Sequence, residues 1–205
     1  SAFTLPLATT APCKRVFGAF QREECSVPSR GPRPGTMTEK LKVKEHASPA
    51  GKTWELVHPR CARRRREDIE EVEAMVEAGE IEIARDELVW LLSECPDHLD
   101  AHVQLGLIAL EDGDPKLARG HFGRAYELVL KALEAAGNPQ PLPYALPGNR
   151  PFHEAAKGLV HCLLETKRQS MARDVCRRIA PLDPSDPLGI QRLVAAPAKP
   201  REQKP

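Results

Sequence analysis

The sequence predicts an all-α fold of antiparallel helix pairs stacked side by side. Small residues at Gly106, Ala118 and Ala125 recur at helical positions, and short side chains allow two helices to approach closely. Phe122 stands between the two alanines and is expected to fill the space that these residues leave. The turn Asp112-Gly113-Asp114-Pro115 separates the two helices, since aspartate favours a helix N-cap and proline the first helical turn.

These residues, read from Leu99 to about Leu130, resemble a tetratricopeptide repeat, a helix–turn–helix unit of about 34 residues. Weaker copies lie on either side; in the first, Val72 and Leu88 replace the small and aromatic residues usual in the family. The resemblance implies a short right-handed solenoid that binds other proteins. Its domain is expected at 53–196, with repeats at about 65–98, 99–131 and 153–186.

The register breaks between the second and third repeats. The insert, residues 137–150, contains prolines and glycines that exclude a continuous helix. Leu142, Tyr144 and Leu146 alternate with them. We therefore predict that the insert packs against the neighbouring repeats with these three side chains buried, and a mobile tether is the alternative. Beyond the third repeat, a capping helix is expected at 187–196, because solenoid ends must be covered.

The two ends of the chain differ in composition from the domain. Residues 1–52 are rich in Pro, Ser, Thr and Lys and predict a disordered extension, and Met37 is the expected native start. Residues 197–205 predict a disordered tail. The 30 basic and 29 acidic residues balance, which does not favour a nucleic-acid or membrane surface. No apolar run approaches the roughly 20 residues that a membrane span needs.

The six cysteines lie far apart without a Cys-x-x-Cys motif, so we predict reduced thiols and a cytoplasmic location. Cys95, His98 and His102, with His121 further on, have spacings compatible with zinc. They straddle a predicted turn, however, and scattered turn residues are the favoured interpretation. Cys162 and Cys176 are interpreted as core thiols rather than a redox pair.

The sequence carries none of the motifs that would indicate catalysis. It has no Gly-rich phosphate loop, no His-Glu-x-x-His and no Gly-x-Ser-x-Gly. We therefore expect no enzymatic activity, no catalytic residue, no metal site and no cofactor.

In the family that the sequence resembles, the first helix of each repeat lines a concave groove that holds a partner segment. The register places apolar residues on the floor of this groove and acidic residues at its rim. This pattern favours a protein or peptide partner with alternating basic and apolar residues. The groove candidates are Ile69, Glu70, Glu73, Val76, Glu77, Asp100, Val103, Gln104, Leu107, Glu111, Lys157, His161 and Glu165.

A basic run at Arg60 and 63–66 suggests an alternative, a regulatory protein that binds nucleic acid or an acidic partner. The acidic residues that follow from Glu67 explain the same run as a solvated helix start. Nucleic acid is therefore the less favoured partner. The sequence does not indicate an oligomeric state.

Overall fold

The computed structural model describes residues 39–48 and 51–195, and these contain eight α-helices and one antiparallel hairpin. A 3₁₀ helix, Pro147–Asn149, precedes the sixth helix. The predictions for residues 1–38 and 197–205, including a native start at Met37, lie outside the described residues. The strands are β1 Lys42–Ser48 and β2 Gly51–Val57; the helices are α1 Arg60–Arg64, α2 Arg66–Glu77, α3 Ile81–Glu94, α4 Leu99–Glu111, α5 Pro115–Ala135, α6 Arg150–Glu165, α7 Gln169–Ile179 and α8 Ile190–Ala195.

The described residues are mostly helical, as predicted; the hairpin adds a small sheet to that fold and corrects the prediction of disorder through residue 52. Its strands pair in register from Lys42 opposite Val57 to Ser48 opposite Gly51. An isolated two-stranded ribbon is marginal in water, so it needs a surface to pack on. Leu41 and Leu56 supply that contact, since both are buried in the main hydrophobic core. The segment was predicted to be disordered because most of its residues are polar, and two buried leucines do not change that composition.

The described helices pack in chain order, as the predicted repeat pattern requires. Each helix from α2 to α7 contacts the next, and α4 also contacts α6. The pairs α2–α3, α4–α5 and α6–α7 match the three predicted units in position. The predicted turn at Gly113 is present, and Gly79 forms a similar turn between α2 and α3; both adopt φ angles that favour glycine, +75° and +80° respectively.

Phe122 is the centre of the close packing among α4, α5 and α6. Its ring is fully buried, as are the side chains of Ala118 and Ala125. A Cβ atom added at Gly106 on α4 or at Gly158 on α6 would lie 2.6 Å from the ring. The two glycines therefore form the walls of the slot that holds the phenylalanine. The prediction that Phe122 fills the space left by small residues is confirmed, and Gly158 on α6, which was not predicted to take part, adds a second wall.

The insert packs against the rest of the domain, as predicted, but its contacts extend to the hairpin and to the segment after α7. The Leu142 N–H donates to the Leu182 carbonyl beyond α7 (2.7 Å), and the Trp54 N–H of β2 donates to the Pro141 carbonyl (2.9 Å). Leu142 is fully buried, whereas Tyr144 and Leu146 are only half-buried, contrary to the prediction. The insert therefore ties the hairpin to the C-terminal end of the helical stack.

The boundaries of α6 and α8 differ from those predicted. Helix α6 begins at Arg150, three residues before His153, because Pro151 fits its first turn. Helix α8 begins at Ile190 rather than at residue 187. The Asp186 carboxylate accepts hydrogen bonds from the Ile190 and Gln191 N–H groups, at 2.7 and 3.1 Å. Ile190 is buried against α6 and α7, in the position expected of a capping helix.

Candidate partner-binding cleft

The cleft is a cavity of about 570 Å³ bordered by the hairpin, by α1 and α2, and by the N-terminal ends of α4 and α6. Both charge signs line it, together with several apolar and proline residues. Its lining residues are Lys44, Glu55, Leu56, Val57, His58, Ala62, Arg63, Arg66, Ile69, Glu70, Glu73, His98, Asp100, Pro147, Gly148, Arg150, Pro151 and Glu154.

The cleft collects only part of the groove predicted from the sequence. Ile69, Glu70, Glu73 and Asp100 line it, and Gln104 borders it by donating to a Glu73 carboxylate oxygen at 3.0 Å. Two candidates are packed inward instead: Val103 is buried and Val76 is half-buried against the core formed by α2 and α3. The remaining candidates are exposed but do not line the cleft; these are Glu77, Leu107, Glu111, Lys157, His161 and Glu165.

Several lining residues were missed because they come from segments that the sequence analysis did not treat as part of the groove. The hairpin supplies Lys44 and Glu55, and the basic run supplies Arg63 and Arg66. Glu154 is the fifth residue of α6 and lies inside the third repeat that was predicted from residue 153. The three- and four-residue spacing through Lys157 and His161 continues back to Glu154, so the same helical face could have identified it.

The rim of the cleft is built from ion pairs. Lys44 pairs with Glu55 at 3.1 Å, and Arg66 with Glu70 at 3.3 Å. Arg63 lies 3.6 Å from Glu39. The predicted acidic rim is therefore wrong for this cavity, because basic side chains neutralise much of that charge.

Three arginines of the basic run form ion pairs with acidic side chains. Besides the pairs of Arg63 and Arg66, the Arg65 guanidinium donates to Asp68 at 3.0 Å and lies 4.4 Å from the centre of the Trp90 ring. Paired guanidinium groups are less available to phosphates. These contacts favour the interpretation of the run as a helix start over that of a nucleic-acid contact.

A second group of lining residues has a different charge pattern. Glu73 on α2, Asp100 on α4 and Glu154 on α6 each bring a carboxylate to the cleft. Glu73 is bonded to the Gln104 amide, and Glu154 accepts from the Tyr144 hydroxyl at 3.1 Å. Burial raises the pKa of Glu154, and the charges of Asp100 and Glu73 raise it further, against the opposing effects of Tyr144 and Arg150.

Two histidines flank Asp100 in the cleft. The Nδ1 atoms of His98 and His58 lie 3.7 and 3.8 Å from an Asp100 carboxylate oxygen. His98 also caps α4, because its Nδ1 accepts from the Ala101 N–H at 3.4 Å. Only 2% of His98 is exposed, and burial lowers its pKa. Its Nε2 has no hydrogen-bond partner among the described residues.

A disulfide joins Cys61 on α1 to Cys95 at the end of α3, with their Cα atoms 5.7 Å apart. The prediction of reduced thiols is therefore wrong for this pair, because the fold brings α1 against the end of α3. It is correct for Cys162 and Cys176, which are free and buried. Burial raises the pKa of Cys162 to about 11, which makes this thiol unreactive.

The disulfide also removes Cys95 as a zinc ligand. Within residues 39–48 and 51–195, no group of three or more histidine, cysteine or acidic side chains is placed to hold a metal ion. The interpretation of Cys95 and the three histidines as scattered turn residues holds only in part: Cys95 ends α3 and His98 caps α4, whereas His102 and His121 lie within α4 and α5.

None of the described helices combines the length and the apolar character that crossing a membrane would require. Comparison of the sequence with protein-family models, with curated proteins and with solved structures gave no match. The resemblance to tetratricopeptide repeats accordingly rests on the residues named above, and the function has to be argued from the geometry of the cleft.

Proposed function

We propose that this protein is an interaction module that binds an extended segment of a partner protein in the cleft. The observation that carries the proposal is the convergence of α2, α4 and α6, the first helices of three successive pairs, on one cavity. A site assembled from three units of a helical stack suits an extended ligand, because such a ligand can contact every unit in turn.

The finer fold assignment belongs to the same proposal. We interpret the three helix pairs as units similar to tetratricopeptide repeats, stacked as a right-handed solenoid and closed by α8. The order of helix contacts and the glycine walls around Phe122 support this interpretation. The hairpin and the insert would then be additions that close one side of the groove.

The lining of the cleft fits recognition of a polypeptide. Ile69 and Leu56 offer apolar contact near charged and hydrogen-bonding groups, so that side chains and backbone of a bound segment can both be accommodated. The proposal assigns no catalytic residue and no cofactor. Nucleic-acid binding through the basic run stays the alternative, weakened by the ion pairs described above.

A cytoplasmic location remains a prediction. The Cys61–Cys95 disulfide counts against a strongly reducing compartment, since structural disulfides persist mainly where conditions are oxidising.

Site-specific photo-crosslinking of the full chain tests the proposed function. A photoreactive amino acid would replace Glu70, which lines the cleft, and in a matched control Glu71, which is exposed on the same helix but does not line it. The two positions point about 100° apart around the helix axis. We expect a discrete crosslinked partner from position 70 and little of it from position 71.

The crosslinked partner should then protect α2, α4 and α6 together in hydrogen exchange of the complex. Equal crosslinking from both positions, or protection confined to the opposite side of the stack, would contradict binding in the cleft.

A further inference from the structure

We propose that the Cys61–Cys95 disulfide is a redox switch of the cleft: a thiol reductant opens the bond by attacking the Cys61 sulfur, and α1 is then released from the cleft wall. This inference rests on the proposed function, because it names a condition under which the cleft loses its partner. The state of the bond and the position of α1 can both be measured without a partner.

Helix α1 forms part of the cleft wall but has little packing of its own. Ala62 and Arg63 on this helix line the cavity. The helix has five residues, fewer than the roughly 12–15 that an isolated helix needs in water. Ala62 is the one residue of α1 that is buried. Contacts with the rest of the molecule must therefore hold α1 in place.

The polar contacts of α1 with the hairpin segment are exposed. The Arg60 N–H donates to a Glu39 carboxylate oxygen at 3.0 Å, and the Arg63 guanidinium lies 3.6 Å from the same oxygen. Exposed contacts of this kind contribute little to stability. Arg65, which follows α1, lies over the Trp90 ring and so keeps the start of α2 on α3. The disulfide is the covalent link that extends this support to α1 itself.

The two cysteines differ in how firmly the fold holds them. Cys95 follows the 14-residue helix α3, whose Leu88 and Leu91 are fully buried. The Cys95 N–H also donates to the Leu91 carbonyl at 2.8 Å. Cys61 has no comparable support, since it belongs to the short helix α1. Opening the bond should therefore leave Cys95 in place and free α1.

Exposure decides which of the two sulfur atoms a thiol can attack. Cys61 is half-buried, whereas only 1% of Cys95 is exposed. Thiol–disulfide exchange depends on access to the attacked sulfur, and accessible disulfides are the labile and regulatory ones. The reductant therefore reaches this bond from the side of Cys61.

The exchange proceeds in two balanced steps. The thiolate of the reductant forms a bond with the Cys61 sulfur, the bond to Cys95 breaks, and the electron pair and a proton pass to the Cys95 sulfur. A second thiolate attacks the reductant's sulfur in this mixed disulfide, and Cys61 leaves and takes up a proton. Two electrons thus reduce the protein disulfide to two thiols, and the two reductant thiols are oxidised to one disulfide.

Peptide mapping of the full chain treated with reduced glutathione tests the first step. Samples are quenched with acid, free thiols are alkylated, and glutathione adducts on the two cysteine peptides are measured by mass spectrometry. We expect about tenfold more adduct on Cys61 than on Cys95. Equal adducts, or a majority on Cys95, would overturn the assignment of Cys61 as the attacked residue.

Hydrogen exchange of the full chain, oxidised or reduced by dithiothreitol, tests the release of α1. Amides of α1, such as that of Arg63, which donates to the Pro59 carbonyl at 3.0 Å, should exchange about tenfold faster after reduction. Amides of α5 and α6, which lie outside the cross-linked segment, should change little. Unchanged exchange in α1 after complete reduction would overturn the switch.

The double variant Cys61→Ser with Cys95→Ser controls for other effects of the reductant. It has no bond to open, so its α1 amides should exchange fast both with and without dithiothreitol. If these amides instead exchanged as slowly as in the oxidised parent, the bond would not be what holds α1, and the inference would fail.

Photo-crosslinking from position 70 then measures the effect on the partner. We expect about fivefold less crosslinked partner from the reduced chain and from the double serine variant than from the oxidised chain. Equal crosslinking in all three would overturn the switch and leave the proposed function intact. The absence of a discrete partner from the oxidised chain would contradict both proposals.

Discussion

At the scale of single residues, the slot around Phe122 shows how two glycines and an aromatic ring set the spacing of three helices. Gly158→Ala should destabilise the fold, because the added methyl group would lie 2.6 Å from the ring and such overpacking costs about 1–3 kcal/mol. The gain of about 1 kcal/mol that alanine normally brings to a helix interior offsets part of this cost, so we expect a net loss of up to about 2 kcal/mol. Urea denaturation followed by circular dichroism measures the difference.

Gly120→Ala on α5 is the matched control for that substitution. Its added methyl group would meet no atom within 4 Å, so we expect a gain of about 0.5–1 kcal/mol. If Gly158→Ala were stabilised to the same extent, the slot would be looser than the contacts indicate.

His102 on α4 should make stability depend on pH. Its Nε2 donates to the Pro96 carbonyl at 3.1 Å, and burial lowers its pKa to about 4, from about 6.5 in an unfolded chain. Between these values the unfolded chain binds more protons, so the free energy of unfolding falls as pH falls. The loss should reach about 3 kcal/mol at pH 4.

Denaturation curves of the parent and of His102→Gln between pH 7 and 4 measure this contribution. The variant should lose part of the slope, whereas His161→Gln, on an exposed position of α6, should keep it. Parallel profiles for the parent and His102→Gln would exclude the histidine as a cause.

At the scale of elements, the helices were predictable and the hairpin was not. The α4–α5 pair combines small residues, a capping aspartate and a turn within one local pattern, and Asp114 does accept from the Lys116 and Leu117 N–H groups. The hairpin depends on two buried leucines separated by polar strands, and its supporting surface comes from distant parts of the chain. Local patterns cannot reveal such long-range support.

The insert illustrates an intermediate case. Its alternation of apolar residues with prolines predicted docking, and Leu142 is indeed buried. Its partners, the Leu182 carbonyl and the hairpin, were not predictable because they lie about 40 and 90 residues away. Tyr144 is half-buried, and its hydroxyl donates to the Glu154 carboxylate that lines the cleft.

The Cys61–Cys95 disulfide should stabilise the folded chain by linking α1 to the end of α3. It closes a loop with a sequence separation of 34 residues, for which the chain-entropy relation gives a stabilisation of about 4 kcal/mol. Reduction by dithiothreitol, which converts the bond to two thiols, should therefore lower the melting temperature. Peptide mapping after thiol labelling would verify which cysteines have reacted.

The double variant Cys61→Ser with Cys95→Ser controls for other effects of the reductant. Its melting temperature should not respond to dithiothreitol. A parent protein that releases both thiols and melts unchanged would show that the rest of the fold holds α1 without the bond.

At the scale of the whole molecule, the cleft was only partly predictable, because part of its wall depends on contacts between residues that are distant in the sequence. Of the groove residues expected from helical periodicity, Glu70, Glu73 and Asp100 line the cleft. The other wall comes from the hairpin and the 3₁₀ helix, whose position depends on tertiary contacts. Asn149, for example, is buried and accepts from the Leu56 N–H at 2.9 Å.

Two hydrophobic clusters meet at α4 and should give the molecule two levels of stability. The smaller cluster joins α2 and α3 to one side of α4 through Leu88, Leu91 and Leu105; the larger holds α5–α8 on the other side. Since α3 packs on α4 and α2 packs on α3, this pair can open while the larger cluster stays folded. Leu88→Ala, at a fully buried position, should cost about 2–5 kcal/mol in the smaller cluster.

Hydrogen exchange under native conditions tests this division of the molecule. In Leu88→Ala, amides of α2 and α3 should exchange about 30-fold faster or more, and those of α5 and α6 at the parent rate. Phe122→Ala should accelerate exchange in all of these helices, because loss of the larger cluster removes the support of α4 as well. If Leu88→Ala accelerated α5 and α6 as much as α3, the described helices would unfold as one cooperative unit, and the cleft could not open by movement of α2 and α3 alone.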